Sequence, residues 1–271
     1  MTTNTRGTAV ITGAAGGIGL ATAKALQSAG YRVFGTSRKP VASPPPGLTM
    51  LVCDVTDDVS VARMVAEVTR QSGRIDVLVN NAGSALIGGA EESSIDQAKA
   101  LFDTNVFGMI RVTNAVLPIL RRQKTGRIVN ISSVVGFIPS PFSTLYTATK
   151  HAVEGYSESL DHEVRGFGIR VLLVEPAFTS TRLDHNAPEP DRMMAIYDAA
   201  RAAAIKLWNT AIQTGDSPDV VGAAVVTAAT AKAPRLRYPA SKTARRLRVT
   251  RRFVPAAAFD RSLRKQMGLP V

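Results

Sequence analysis

Thr8-Ala9-Val10-Ile11-Thr12-Gly13-Ala14-Ala15-Gly16-Gly17-Ile18-Gly19, near the start of the chain, governs how the rest is read. Residues 8–12 are a short run rich in β-branched side chains, the pattern of a buried strand. Four glycines, Gly13, Gly16, Gly17 and Gly19, follow at once. Residues 18–29 then carry Leu20, Ala25 and Leu26 among small residues and stop before Gly30, a good helix end. A strand that turns through glycines into a helix can bring its backbone against a pyrophosphate, with the helix N-terminus supplying unpaired N–H groups and a favourable dipole. The spacing G-x-x-x-G-x-G departs from the commoner G-x-G-x-x-G, so the loop alone is a weak signal.

Outward from this loop the same alternation recurs. Strands are expected at residues 31–37, 48–53, 75–79, 127–132 and 169–175, and helices at 57–71, 94–107, 107–123 and 145–166. Strands alternating with helices imply right-handed βαβ crossovers and a parallel sheet covered on both faces, an α/β doubly wound architecture. Such a sheet takes its ligands outside the carboxyl ends of the strands, where strand order reverses. Beyond Pro176 the pattern loosens. Residues 177–215, with Pro188, Pro190, Met193, Met194, Ile196, Tyr197 and Trp208, read as an insertion over the crevice, followed by a helix at 219–231 and a short strand at 236–238. With no repeat and no long linker, residues 1–271 are expected to form a single domain.

The composition fits that picture. The chain has 271 residues, 45% of them hydrophobic, enough for a sizeable core. Its single cysteine, Cys53, excludes an intramolecular disulfide framework. No His/Asp/Glu cluster has metal-ligand spacing. No apolar run is long enough to span a membrane, and residues 1–7 are polar, so a soluble, cytoplasmic protein is expected. The formal net charge of +12 is concentrated at one end: residues 232–271 hold 12 Lys and Arg against the one acid Asp260, leaving 21 basic and 20 acidic residues over 1–231. The apolar Phe259, Leu263 and Met267 share one face of a helix opened by Pro255 and stopped by Gly268, and are expected to pack on the body while the arginines stay in water. A peripheral contact with anionic membrane is a second use of this tail. Nucleic acid is not expected, because no aromatic platform accompanies the charge.

Tyr146-Thr147-Ala148-Thr149-Lys150 places a phenol and an ammonium four residues apart in a helical segment, hence on one face. A cation that close favours the ionised phenol. The chain as a whole then resembles the short-chain dehydrogenase/reductase family, whose motifs appear in order over about 175 residues. Residues 12–19 resemble its TGxxxGIG cofactor loop, Asp54-Val55 the segment that contacts adenine, and Asn80-Asn81-Ala82-Gly83 its NNAG segment. Asn105 with Gly108 resembles the active-site asparagine. Ser133 stands thirteen residues before Tyr146, the family's interval, and Pro176 begins the segment similar to the nicotinamide loop, although Ala177 replaces the common glycine.

This resemblance implies a Rossmann-type fold and an NAD(P)-dependent oxidoreductase interconverting an alcohol and a ketone or aldehyde, nearest in type to hydroxysteroid and retinol dehydrogenases. It implies Tyr146 as proton donor and acceptor, Lys150 as the group that lowers its pKa and holds the nicotinamide ribose, Ser133 as donor to the substrate oxygen, and Asn105 as the holder of a water linked to Lys150. Gly13, Ala15, Gly17, Ile18, Gly19, Asp54, Val55, Asn81, Ala82, Gly83, Pro176, Thr179 and Thr181 are the further cofactor contacts expected. At the end of the second strand Ser37 stands where an acid would bind both ribose hydroxyls, and Arg38 with Lys39 could pair with a 2′-phosphate, so NADP(H) is expected over NAD(H). The bulk of Met193, Met194, Ile196, Tyr197 and Trp208 suggests a medium to large apolar substrate. His151 and His162 read as surface residues, and His185 in the insertion as a candidate substrate contact. The resemblance also implies a homo-oligomer, dimer or tetramer, through the helices containing Asn105 and Tyr146. Alternatives are epimerisation or dehydration on the same scaffold, or a nucleotide-sensing regulator; the four filled catalytic positions argue against the last.

Overall fold

A computed structural model describes residues 5–181 and 188–269. Seven parallel strands form one sheet in the order β3-β2-β1-β4-β5-β6-β7: β1 Gly7–Ile11, β2 Tyr31–Ser37, β3 Leu48–Val52, β4 Val77–Asn80, β5 Gly126–Ile131, β6 Ile169–Glu175 and β7 Arg237–Pro239. Helix α1 (Gly17–Ser28) and α7 (Pro218–Thr230) cover one face, and α2 (Asp58–Ser72), α4 (Gly108–Gln123) and α5 (Thr144–Val164) the other.

Successive strand residues point to opposite faces, which is why near-continuous apolar runs suit strands buried on both sides. Ile11, Val79, Val129 and Leu172 meet Leu26 of α1 and Val221 and Val225 of α7. Their neighbours Val10, Leu78, Ile128 and Val171 meet Met64 and Val68 of α2, Val112 and Val116 of α4 and Leu160 and Val164 of α5. Burying an aliphatic side chain in such a layer contributes roughly 1.5–3 kcal/mol. A polar chain also crosses the second layer: Asn80 Nδ2 donates to Thr113 Oγ1 (3.0 Å) and Asn130 Oδ1 (2.9 Å), and Asn130 Nδ2 donates to Ser157 Oγ (2.8 Å). Strand order reverses between β1 and β4, and the crevice opens at their carboxyl ends.

The expected elements are present, with three differences. The predicted helix at 94–107 divides into α3 (Ile95–Phe102) and a wider π turn, Asp103–Phe107, that runs into α4. The close approach of Gly108 to Val55, where a Cβ would come within 2.7 Å of Cγ2, accompanies this distortion. The predicted strand at 127–132 ends one residue early, so Ser132 and Ser133 both lie beyond β5. The tail holds two helices rather than one: α8 (Lys242–Phe253) precedes α9 (Ala256–Gln266). Six of the twelve α8 residues are Lys or Arg, so no apolar stripe announces the helix; Ser241 caps it by accepting from Ala244 N at 3.2 Å. The insertion contributes α6 (Asp198–Gln213). Among the described residues no helix is long and apolar enough to cross a membrane.

Candidate active site

The glycine loop is held in place by the segment after β4. Thr12 Oγ1 accepts from the backbone N–H groups of Asn81 (2.9 Å) and Ala82 (3.0 Å), while Asn81 Nδ2 donates to the carbonyls of Thr12 (2.9 Å) and Gly13 (3.0 Å). Gly13 has φ +67°, a left-handed conformation that favours glycine. A Cβ on Gly19 would collide with the Gly13 carbonyl and stand 2.6 Å from Asn81 Nδ2. The backbone is therefore packed too tightly for a side chain at Gly19, whereas a Cβ on Gly16, the residue before α1, would meet nothing within 4 Å, which leaves the helix N-terminus open to the crevice. This glycine cradle fits the pyrophosphate of a dinucleotide.

Tyr146 and Lys150 leave the first two turns of α5 on one face, as their spacing predicts. Lys150 Nζ donates to the Ile131 carbonyl at 2.9 Å and lies 5.6 Å from the centre of the Tyr146 ring. Burial pushes the lysine pKa down to about 8, opposed by the charge of Glu154 one turn further on. Ser133 caps the short turn Val134–Gly136, its Oγ accepting from Val135 N at 3.3 Å. Tyr146, Trp208 and Phe178 form an edge-to-face run, with ring centres 6.3 and 5.4 Å apart.

Asn105 sits in the π turn. Its Oδ1 accepts from Ser84 N (2.8 Å), and its Nδ2 donates to Ser84 O (2.9 Å) and Thr149 Oγ1 (3.1 Å). Thr149 Oγ1 donates in turn to Tyr146 O (2.7 Å). The side chain thus ties the segment after β4 to the first turn of α5.

One crevice of about 1020 Å³ takes in Gly13, Ala15, Gly17, Ile18, Gly19, Asn81, Ala82, Gly83, Ser133, Tyr146, Lys150, Pro176, Thr179 and Thr181. Five predicted positions stand outside its lining. Asn105 lies behind Tyr146 and Lys150, as described. Ser37 and Arg38 lie at the end of β2, where Ser37 Oγ donates to the Lys39 carbonyl and Arg38 is exposed. Asp54 Oδ1 accepts from Thr56 N (2.9 Å) and Oγ1 (2.8 Å); these bonds, more than the nearby Arg38 and Arg111 charges, lower its pKa. Val55 is buried against Gly108, and its carbonyl accepts from Arg111 Nη1 at 2.7 Å.

Of the bulky residues in the insertion, Trp208 reaches the crevice. Met193, Met194 and Ile196 are exposed, Met193 also lining a neighbouring cavity. His151 and His162 are exposed on α5; His185 lies outside the described residues. Among the described residues no group of His, Cys, Asp and Glu could hold a metal ion.

Sequence reading missed a buried ionic cluster behind the site. Glu175, at the end of β6, and Glu154, four residues after Lys150, are both buried. Arg248 of α8 donates to Glu175 Oε1 at 2.6 Å, and Arg237 donates to Glu154 Oε2 at 3.1 Å and Glu158 Oε2 at 2.8 Å. Burial and then the neighbouring Glu154 charge push the Glu175 carboxyl up to about 7, despite both arginines. Arg248 thus reaches inward, against the expectation that the tail arginines stay in water. The spacing of Glu154 from Lys150 was the one signal available; nothing local ties Arg248 to Glu175. Phe178 and the α7 start, Pro218 and Asp219, also line the crevice without a sequence cue.

A family profile described as short chain dehydrogenase matches residues 7–192. The chain belongs to the short-chain dehydrogenase family. It is 37% identical over 230 residues to the 3-ketodihydrosphingosine reductase of Bacteroides thetaiotaomicron, covering 84% of this chain and 85% of that one. It is 34% identical over 254 residues to retinol dehydrogenase 8 of Bos taurus, covering 85% and 80%. Among solved structures, a short-chain dehydrogenase from Streptomyces avermitilis superposes with a TM-score of 0.82 at 32% identity, over 99% of this chain and 96% of that one. A Burkholderia phymatum member in complex with NAD gives 0.80 at 26% identity (93% and 94%), and a metagenomic member in complex with NADP gives 0.68 at 27% (87% and 96%). This short-chain dehydrogenase is an NAD(P)-dependent oxidoreductase, and its structural neighbours include one in complex with NAD and one in complex with NADP.

Proposed function

We propose that this dehydrogenase interconverts an alcohol and a ketone or aldehyde on a medium to large apolar substrate, with NADP(H) preferred. The observation that supports this most is the meeting in one crevice of the glycine cradle with Tyr146, Lys150 and Ser133. The dinucleotide supplies or accepts the hydride. Gly13, Gly17 and Gly19 hold its pyrophosphate, and Ser37, Arg38, Asp54, Asn81, Ala82 and Gly83 border its adenosine half. Pro176, Thr179 and Thr181 border its nicotinamide half.

Charge that develops on the substrate oxygen needs a donor and then a proton. Ser133 Oγ donates to that oxygen, and Tyr146 delivers the proton in reduction and takes it in oxidation. Lys150, buried and fixed by the Ile131 carbonyl, keeps a cation next to the Tyr146 ring. Asn105 sets the start of α5 through Thr149, which supports its place behind the proton path.

Trp208 and Phe178 give the crevice an aromatic wall, which favours an apolar substrate. The similarity to a 3-ketodihydrosphingosine reductase and a retinol dehydrogenase points the same way. For the cofactor, the absence of an acid at Ser37 and the exposed Arg38 favour a 2′-phosphate. A homo-oligomer through α4 and α5 and a cytoplasmic location complete the reading.

The test is oxidation of NADPH and NADH, followed by nicotinamide absorbance, against a panel of long-chain and cyclic ketones and aldehydes. Tyr146→Phe is expected to lower kcat by about 10²- to 10⁴-fold. Arg38→Ala is expected to raise KM for NADPH while leaving that for NADH unchanged. Equal rates for wild type and Tyr146→Phe would overturn the mechanism, and an unchanged NADPH KM the cofactor preference.

A further inference from the structure

Helix α8 has two chemically different sides. Toward the body it presents Ala244, fully buried, and Leu247, which join the apolar cluster holding Tyr146 and Trp208. Arg248 on the same side bonds Glu175, and Arg251 Nε donates to the Phe137 carbonyl at 3.3 Å. Toward solvent it presents Lys242, Arg245, Arg246, Val249, Arg252 and Phe253, all exposed. Val249 and Phe253, four residues apart, stack along this outer face and are 53% and 73% exposed.

Among the described residues no acid pairs with the outer cations: no salt bridge engages Lys242, Arg245, Arg246 or Arg252, whereas Arg248 on the inner side is paired. Asp260 is the one acid in residues 232–271. Arg252 lies over the Phe253 ring, 5.6 Å from its centre, so this face sets cations beside an exposed phenyl ring and an isopropyl group that otherwise stay in contact with water. They suit a boundary that is anionic at its surface and apolar a few ångströms below it, and a phospholipid headgroup layer is such a boundary. A nucleic acid would satisfy the cations but offers no place for Val249, and this convex helix face provides no groove to track a strand.

We infer that the outer face of α8 docks on an anionic phospholipid bilayer, with Lys242, Arg245, Arg246 and Arg252 meeting the headgroups and Val249 and Phe253 entering the boundary beneath them. The inner side of the same helix packs in the cluster that contains Tyr146 and Trp208, so docking holds the substrate end of the crevice close to the lipid surface. An apolar substrate carried in that lipid then reaches the crevice without crossing bulk water.

Sedimentation of the full chain with vesicles tests this, comparing phosphatidylcholine alone with phosphatidylcholine containing about 20% phosphatidylserine. Binding is expected with the anionic vesicles and not the neutral ones, and is expected to fall as salt rises. Arg245→Ala/Arg246→Ala is expected to weaken it by about 30-fold, about fivefold for each charge. Phe253→Ser is expected to weaken it while leaving the salt dependence intact. Both variants should keep wild-type turnover of a water-soluble carbonyl in the absence of vesicles, which separates loss of docking from loss of fold. Absent binding, equal binding to both vesicle types, or an undiminished affinity in the double variant would overturn the inference. So would displacement from anionic vesicles by duplex DNA at equal phosphate concentration. None of these outcomes touches the oxidoreductase reading, which the soluble assay measures by itself.

Discussion

Arg248 Nη1 donates to Glu175 Oε1 at 2.6 Å across 73 positions of sequence, joining the basic tail to the last residue of β6, next to Pro176. A buried carboxylate that loses its partner keeps its desolvation cost without the compensating attraction. Solvent reaches Arg248, whose side chain is 38% exposed, so the effect is discounted from that of a fully buried pair. Arg248→Ala is expected to cost about 2 kcal/mol, read as a fall in Tm of about 5 °C for a chain this long. Combined with Glu175→Gln, the loss should be smaller than the sum of the single changes, a coupling that a double-mutant cycle measures.

Glu175 also makes stability depend on pH. Its folded pKa, about 7, lies above the ordinary 4.5, so the folded chain holds a proton that the unfolded chain releases first. The contribution is complete below about pH 4.5 and is lost as pH rises through about 7. Glu175→Gln removes this dependence. Thermal unfolding at pH 5 and pH 8 should therefore show the variant gaining on the wild type at the higher pH; a constant difference would contradict the raised pKa.

Lys150 has the opposite sign. Burial lowers its pKa from 10.5 to about 8, so the charged lysine strains the fold at neutral pH. The strain is relieved as pH rises from about 8 to 10.5, where the folded lysine is already neutral and the unfolded one still protonated. Lys150→Met is expected to abolish turnover and to raise Tm at pH 7, with the gain over wild type shrinking toward pH 10. The lost bond to the Ile131 carbonyl subtracts about 1 kcal/mol from that gain.

Gly19→Ala places a methyl group against the Gly13 carbonyl and Asn81 Nδ2, both of which are backbone or fixed by backbone. The loop must shift to make room. Dinucleotide affinity, measured by quenching of Trp208 fluorescence or by calorimetry, should fall by at least about tenfold, since about 1.4 kcal/mol of distortion suffices. Gly16→Ala, where nothing lies within contact distance, is the control and should keep a folded loop.

Asn130 joins Asn80 to Ser157 inside the second layer and is fully buried. Asn130→Ala takes away the acceptor of one Asn80 N–H and the donor to Ser157 Oγ, at about 1–3 kcal/mol. Denaturant unfolding should show a lower midpoint with unchanged slope.

The fold was legible because its signals are local and repeated. A β-branched run followed by glycines at 13, 16, 17 and 19 specifies a strand, a tight turn and a helix start by backbone sterics alone, and the later alternation specifies a parallel sheet. Tyr146 and Lys150 were legible for the same reason, since four residues make one helical turn. Helix α8 was not, because half of its residues are cations with no apolar period to read. The π turn at Asn105 was hidden too, since the distortion accompanies an encounter between Gly108 and Val55 that lies outside local sequence.

By itself, then, the sequence determined the alternating strands and helices up to Pro176 apart from the π turn, where the glycine loop lies and which phenol and ammonium share a face. Those properties follow from side-chain period and backbone freedom within a few residues. Only the tertiary structure decided that Glu154 and Glu175 are buried together, that Arg248 turns inward to meet Glu175, and that Lys242, Arg245, Arg246 and Arg252 are left facing out. Charge alone cannot say which arginine is paired. That depends on which carboxylate the folded chain removes from water within reach of it.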